Sequence, residues 1–123
     1  MVWQVTNRST AGNAATAAVA AGSNSTYQTR MRSIYATLRG PAAGSGTMVV
    51  RDGLTGIGTI IFQTDLNISA SGRDTLDLYE FDIRATPGNV MTIEFTAGTP
   101  SDFQVVNAQG DYVPPGTPFM APY

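Results

Sequence analysis

Cysteine, histidine and lysine are all missing from this 123-residue chain. Without cysteine there is no disulfide framework, no thiolate nucleophile and no thiolate metal site. Without histidine there is no imidazole base, no Ser–His pair and no imidazole ligand for a metal. Without lysine there is neither a Schiff-base amine nor a phosphate-loop lysine. Charge is scarce as well, at 13% of residues, about half of what an average soluble domain carries. All seven basic residues are arginine, and nine acids leave a net charge of -2, with no general attraction to nucleic acid or to an anionic membrane. The expectation is a chain that is not an enzyme, with no catalytic residues, no cofactor, no metal, and neither nucleic acid nor membrane as partner.

Long hydrophobic runs are lacking too. The longest, Ala14 to Ala21, is interrupted by Thr16 and falls far short of the roughly 20 residues that span a bilayer. Asn7, Arg8, Ser9, Thr10 and Asn13 crowd its upstream side, unlike a signal peptide. The sequons at Asn7, Asn24 and Asn67 are therefore read as chance matches in a chain rich in Asn, Ser and Thr.

What is present is a regular grammar of short extended segments. Apolar residues make up 42% of the chain and mean hydropathy is -0.03, which suits one globular domain. From Thr59 to Ile68 the residues Ile60, Phe62, Thr64, Leu66 and Ile68 alternate with Ile61, Gln63, Asp65 and Asn67, the period-two pattern of a half-buried strand. From Val90 to Thr96 the inward set is Met91, Ile93 and Phe95. Between Thr75 and Arg84 the apolar phase slips from Leu76 and Leu78 to Phe81 and Ile83, which predicts a bulge near Tyr79–Glu80 or a break into two strands. Further strands are expected at Thr29–Leu38, Thr47–Arg51 and Phe103–Asn107. The segment Ala14–Ala21 is ambiguous between helix and strand and is read as strand. Arg51 to Gly58 reads as a hairpin connection, Thr86–Asn89 as a turn, and Gly40–Gly46 as a flexible loop. Seven to eight short strands at this spacing predict an all-β antiparallel sandwich of jelly-roll type.

The two ends are written differently. Residues 1–13 place Val2, Trp3 and Val5 beside a polar run, and residues 113–123 are rich in proline, so both are expected to be extended arms flanking a sandwich at 14–112. The C-terminal arm either folds back over its own domain or lies on a neighbouring subunit.

No motif carries chemistry. The glycines from Gly53 to Gly58 precede a strand rather than open a helix, and Gly40 to Thr47 has no lysine, so both are turns. The carboxylates Asp65, Asp74, Asp77, Glu80, Asp82 and Glu94 are the remaining catalytic material for a glycosidase-like pair, but nothing sets their separation, and solvated strand edges account for them. Arg30 and Arg32 share a face of their strand, with Arg39 after it; arginine in place of lysine suits ion pairs between strands or subunits better than a nucleic-acid stripe. An exterior of Thr, Ser, Asn, Ala and Gly, poor in lysine and glutamate, is the composition of surface that contacts other chains.

The runs Arg32 to Arg39 (RSIYATLR), Val49 to Gly53 (VVRDG), Gly56 to Ile60 (GIGTI), Ile83 to Phe95 (IRATPGNVMTIEF) and Val106 to Tyr112 (VNAQGDY) resemble small β-sandwich virion proteins of tailed bacteriophages, in the head decoration or cement class. The resemblance covers residues 30–112 and rests on turn signatures and core alternation. It implies a structural protein on the outer surface of the capsid, a trimer that bridges subunits of the major capsid protein and resists internal pressure. Trp3, Arg30, Arg32, Tyr112, Phe119 and Tyr123 are the expected partner-contacting residues, since Trp, Tyr and Arg are the usual anchors of interfaces. The alternative is a receptor- or carbohydrate-binding sandwich of a tail or fibre, with exposed loop aromatics as its platform.

Overall fold

A computed structural model describes residues 2–10, 12–96 and 102–119. Eight strands follow one another: β1 (Val2–Arg8), β2 (Thr16–Val19), β3 (Gln28–Gly40), β4 (Gly44–Asp52), β5 (Thr59–Ile68), β6 (Gly72–Arg84), β7 (Met91–Phe95) and β8 (Phe103–Val113). They form two four-stranded antiparallel sheets, ordered β1-β8-β3-β6 and β2-β7-β4-β5. The pairs β4–β5, β3–β6, β2–β7 and β1–β8 are nested about the β4–β5 turn. The chain is one long antiparallel ribbon folded over on itself, and β3–β8 and β4–β7 pairing joins its arms. This is the jelly-roll sandwich that the strand count predicts.

The core lies between the sheets and is built by alternation. Met31, Ile34 and Leu38 of β3, Met48 and Val50 of β4, Met91 and Ile93 of β7, and Val106 of β8 are all buried. Gln104, the second residue of β8, is a polar residue in this layer, fully enclosed. Its Oε1 accepts the Ala15 amide at 2.9 Å and its Nε2 donates to the Thr96 carbonyl at 2.6 Å. It thereby satisfies two backbone groups beside the opposite sheet, and a buried polar side chain is tolerated on that condition.

Several expectations need correction. Residues 2–8 are not an arm outside a 14–112 sandwich: they form an edge strand in continuous register with β8, from Val2 opposite Asp111 to Arg8 opposite Val105. Trp3 and Val5 alternate inward while Gln4 and Thr6 face out, and seven residues suffice for a strand. β8 runs on to Val113 because β1 and β3 pair with it on both sides. Gly110 sits beneath the Trp3 ring. A Cβ there would fall 1.8 Å from the Arg30 carbonyl and 2.6 Å from the indole, so the glycine makes the close packing possible. The Gly40–Gly46 loop shrinks to residues 41–43, since β3 and β4 take the rest.

The predicted slip in β6 is real and leaves the strand unbroken. Met31 faces Ile83 and Ser33 faces Tyr79, so Arg32 alone stands against three residues of β6, and Glu80 takes a left-handed φ of 58°. A second bulge was not anticipated. Phe62 faces Val50 but Ile60 faces Arg51, which leaves Ile61 as the extra residue. Ile60 therefore turns outward, 44% exposed, and Ile61 packs against the core.

Candidate interaction site

The end of the sandwich where β3 begins, β4 ends and β6 ends carries two contrasting features. On the first sheet, four charged residues form a compact network. The Arg30 guanidinium grips Asp111 through two hydrogen bonds of 2.8 and 2.7 Å and lies 3.6 Å from Asp82. Arg84 grips the same Asp82 through bonds of 2.8 and 2.9 Å. The side chains of Arg84 and Asp82 are only 4% and 3% exposed. Hydrogen bonding to Asp111 raises Arg30 above its ordinary pKa against the opposing effect of burial, and the same bond holds Asp111 below the usual carboxylate value.

Arg84 also closes the chain onto itself. Its Nη1 donates to the Thr117 carbonyl at 2.5 Å and its Nη2 to Pro118 at 3.0 Å, while the guanidinium stacks 4.1 Å from the Phe119 ring. The described part of the proline-rich segment thus lies on its own domain, the first of the two readings considered for it.

On the second sheet the β4–β5 turn projects apolar side chains. Leu54 and Ile57 are 61% and 80% exposed, with Ile60 at the base of the turn. The turn is rigidly held. Leu54 accepts the amides of Ile57 and Gly58, the Gly53 amide bonds Val90, and the Thr92 hydroxyl bonds the Gly53 carbonyl. Arg51 pairs with Glu94 and donates to the Gly58 carbonyl at 2.9 Å, and Glu94 accepts the Gly56 amide. Asp52 fastens the neighbouring β6–β7 turn through Thr86 and Asn89. Burial raises Asp52, but those hydrogen bonds outweigh it and leave the carboxyl below its ordinary value.

The predicted contact residues are thereby divided. Trp3 is buried and spends its indole N–H on the Asp111 carbonyl at 3.1 Å, and Arg30 is enclosed by its two aspartates. Both are internal, contrary to the expectation of partner contact. They do meet in space, since Trp3 and Arg30 flank Gly110–Asp111 from β1 and β3. Arg32, half-buried on the bulge, lines an open recess of about 590 Å³ with Tyr79, Gln4 and Gln109. Tyr112 is half-buried and its hydroxyl bonds the Ala20 carbonyl at 2.9 Å. Phe119 is 68% exposed. Tyr123 lies outside the described residues. The sequence places Leu54 and Ile57 in the Arg51–Gly58 connection without marking them as contacts, since two apolar residues in a turn carry no periodic signal, and its alternation sets Ile60 on one strand face with Phe62, Leu66 and Ile68.

The carboxylates considered for catalysis have structural employment in several cases. Asp82 and Glu94 hold arginines, Asp65 accepts the Thr47 hydroxyl at 2.7 Å, and Asp74 accepts the Asn67 amide at 2.8 Å.

By sequence, no known protein family and no curated protein matches the chain. Solved structures with a similar fold include a chain of the cowpea mosaic virus top component, naturally occurring empty particles (14% identity, TM-score 0.49, covering 81% of this chain and 63% of that one). They include a chain of infectious bursal disease virus strain Gx (11% identity, TM-score 0.49, covering 96% and 33%). They also include the family 11 carbohydrate-binding module of Clostridium thermocellum, solved with a mixed-linked tetrasaccharide (11% identity, TM-score 0.41, covering 92% and 84%). The chain spans 63% of the cowpea mosaic virus chain, and the likeness in each case is one of overall sandwich architecture.

Proposed function

We propose that the protein is a non-enzymatic structural component of a virion, a decoration protein that binds the outer surface of the head as a homotrimer and bridges major capsid subunits. The observation that carries this reading is the β4–β5 turn. Leu54, Ile57 and Ile60 hold apolar side chains in solvent on a turn braced by Arg51, Glu94 and Thr92. Exposed apolar groups of this kind mark a surface that another molecule covers, and a braced turn loses little entropy on docking. The lysine-free exterior and the resemblance in residues 30–112 point the same way. Binding only the assembled lattice would shift the equilibrium away from disassembly, and many copies acting together would add avidity.

The test is the number of copies per major capsid subunit in purified virions, by quantitative mass spectrometry. A near-stoichiometric ratio supports decoration. A ratio of a few per hundred moves the protein to tail or fibre and overturns the capsid reading, and absence from particles overturns the virion reading altogether.

A further inference from the structure

Three of the seven arginines gather at the far end of the first sheet, on its outer face. Arg39 of β3 stands directly opposite Arg73 of β6 in the register, and Arg8 of β1 completes the group from across β8. All three are exposed, and among the described residues none of them makes an ion pair. Phe103 organises them: the Arg8 and Arg39 guanidinium carbons lie 4.5 and 5.2 Å from its ring centre. Like charges facing each other across two strands destabilise a sheet. In a chain with little charge and a net charge of -2, this juxtaposition is a local cost that an anion between the arginines would relieve. Arg39, Arg73 and Phe103 line a shallow recess of about 420 Å³ in which such an anion fits.

The rest of the same face tells what kind of molecule carries the anion. Moving along β3 from Arg39, the outward rows hold the buried Thr37 beside the exposed Thr75, whose hydroxyls are 3.2 Å apart, then Tyr35 between Asn107 and the exposed Asp77, then Ser33 between Gln109 and Tyr79. Hydrogen bonding, first to the Thr37 hydroxyl, draws the Tyr35 phenol below its ordinary pKa against the opposing effects of burial and Asp77. Hydroxyls, carboxamides and a tyrosine ring on a flat surface match the vicinal hydroxyls and apolar ring faces of a sugar. An acidic peptide would pair with an unpaired strand edge or fill side-chain pockets; the edges of this sheet are β1 and β6, whereas Arg39, Phe103, Tyr35 and Asn107 stand on β3 and β8 inside it.

We propose that the outer face of the β1-β8-β3-β6 sheet binds an anionic oligosaccharide, with Arg8, Arg39 and Arg73 holding its carboxylate or sulfate groups and the Thr75–Tyr35–Asn107 surface receiving its sugar rings, held clear of Asp77. Arg39 lies about 30 Å along β3 from Arg30, at the opposite end from the apolar turn, taking about 3.3 Å per residue. A molecule docked through Leu54 and Ile57 would keep the arginine corner free. The inference does not rest on the decoration reading, and either can fail alone.

The test is titration calorimetry of the full chain at low salt against four probes: tetragalacturonate, a heparin-derived tetrasaccharide, cellotetraose and decaglutamate. Binding of either acidic sugar is expected, at least ten-fold tighter than cellotetraose or decaglutamate, with carboxylate and sulfate separated by which of the two binds. Salt is expected to weaken it, and the double variant Arg39→Ser/Arg73→Ser, at exposed positions, is expected to lose at least ten-fold with its melting temperature undiminished. Tyr35→Phe is expected to weaken the sugar without touching the salt dependence. No binding of either acidic sugar, equal binding of cellotetraose, tighter binding of decaglutamate, or unchanged affinity in the double variant overturns the proposal.

Discussion

At one end of this sandwich the usual distribution of side chains is inverted between the two sheets. The first sheet encloses Arg30, Asp82, Arg84 and Asp111, and the second displays Leu54, Ile57 and Ile60. The buried charges are tolerated because every guanidinium is matched by carboxylates or carbonyls. The exposed apolar groups gain nothing comparable within the chain. The difference separates groups that serve the fold from groups left over for something else: removing a member of the network should cost stability, and removing the apolar side chains should not.

The sharpest way to break that contrast is Asp82→Ala, which takes from Arg84 its balancing carboxylate, leaving it only the Thr117 and Pro118 carbonyls, and weakens Arg30 in an enclosed setting. A loss of about 3–5 kcal/mol in urea unfolding is expected, and a loss below 1 kcal/mol would place the network in solvent-like surroundings. At the other end of the molecule, Gln104→Met keeps the volume but orphans the Ala15 amide and the Thr96 carbonyl. It should cost about 2–4 kcal/mol by the same measurement, since each unsatisfied buried group costs about 1–3 kcal/mol. Next comes the acid limb. Asp52 and Asp111 are held below ordinary carboxylate values, so the folded chain binds these protons less readily than the unfolded one. Their stabilisation is complete above the unfolded value of about 3.9 and is lost as pH falls through the lower folded values. The urea midpoint should therefore be level from pH 8 to 5 and fall below about pH 4, with a shallower fall in Asp52→Asn/Asp111→Asn. Smallest of all, Leu54→Ser/Ile57→Ser should change stability by no more than about 0.5 kcal/mol, while its retention on purified virus heads drops at least ten-fold in a sedimentation assay. A loss above 1.5 kcal/mol would return these residues to the fold.

Arg30 and Arg32 show where the sequence is legible and where it stops. Their spacing places both on one face of a strand, and the strand is there. Arg32 is one extra residue against β8 and stands alone against three residues of β6, and with the register shifted there the first arginine enters an ion-pair network and the second lines an open recess. The slip in β6 was readable because both apolar phases are spelled out, Leu76 and Leu78 before it and Ile83 after it. The slip at Ile61 was not, since three consecutive apolar residues (Ile60, Ile61 and Phe62) satisfy either phase. Trp3 read as an anchor for a partner because tryptophan near a terminus has no periodic context. It is buried because β8 leaves Gly110 beneath it, a residue more than a hundred positions away.

The sequence alone determined the class of this protein: every strand but the first, their turns, the alternation that builds two sheets, and the chemistry that missing cysteine, histidine and lysine withhold. Those are local or compositional properties, written within a few residues or in a count. Tertiary structure decided which polar groups are spent inside and which apolar and charged groups remain outside. Gln104 meets Ala15, Arg84 meets Thr117, and Arg39 faces Arg73 only once the ribbon folds over and brings distant strands into register. Pairing of that kind depends on a one-residue choice of register that no short stretch of chain can make by itself.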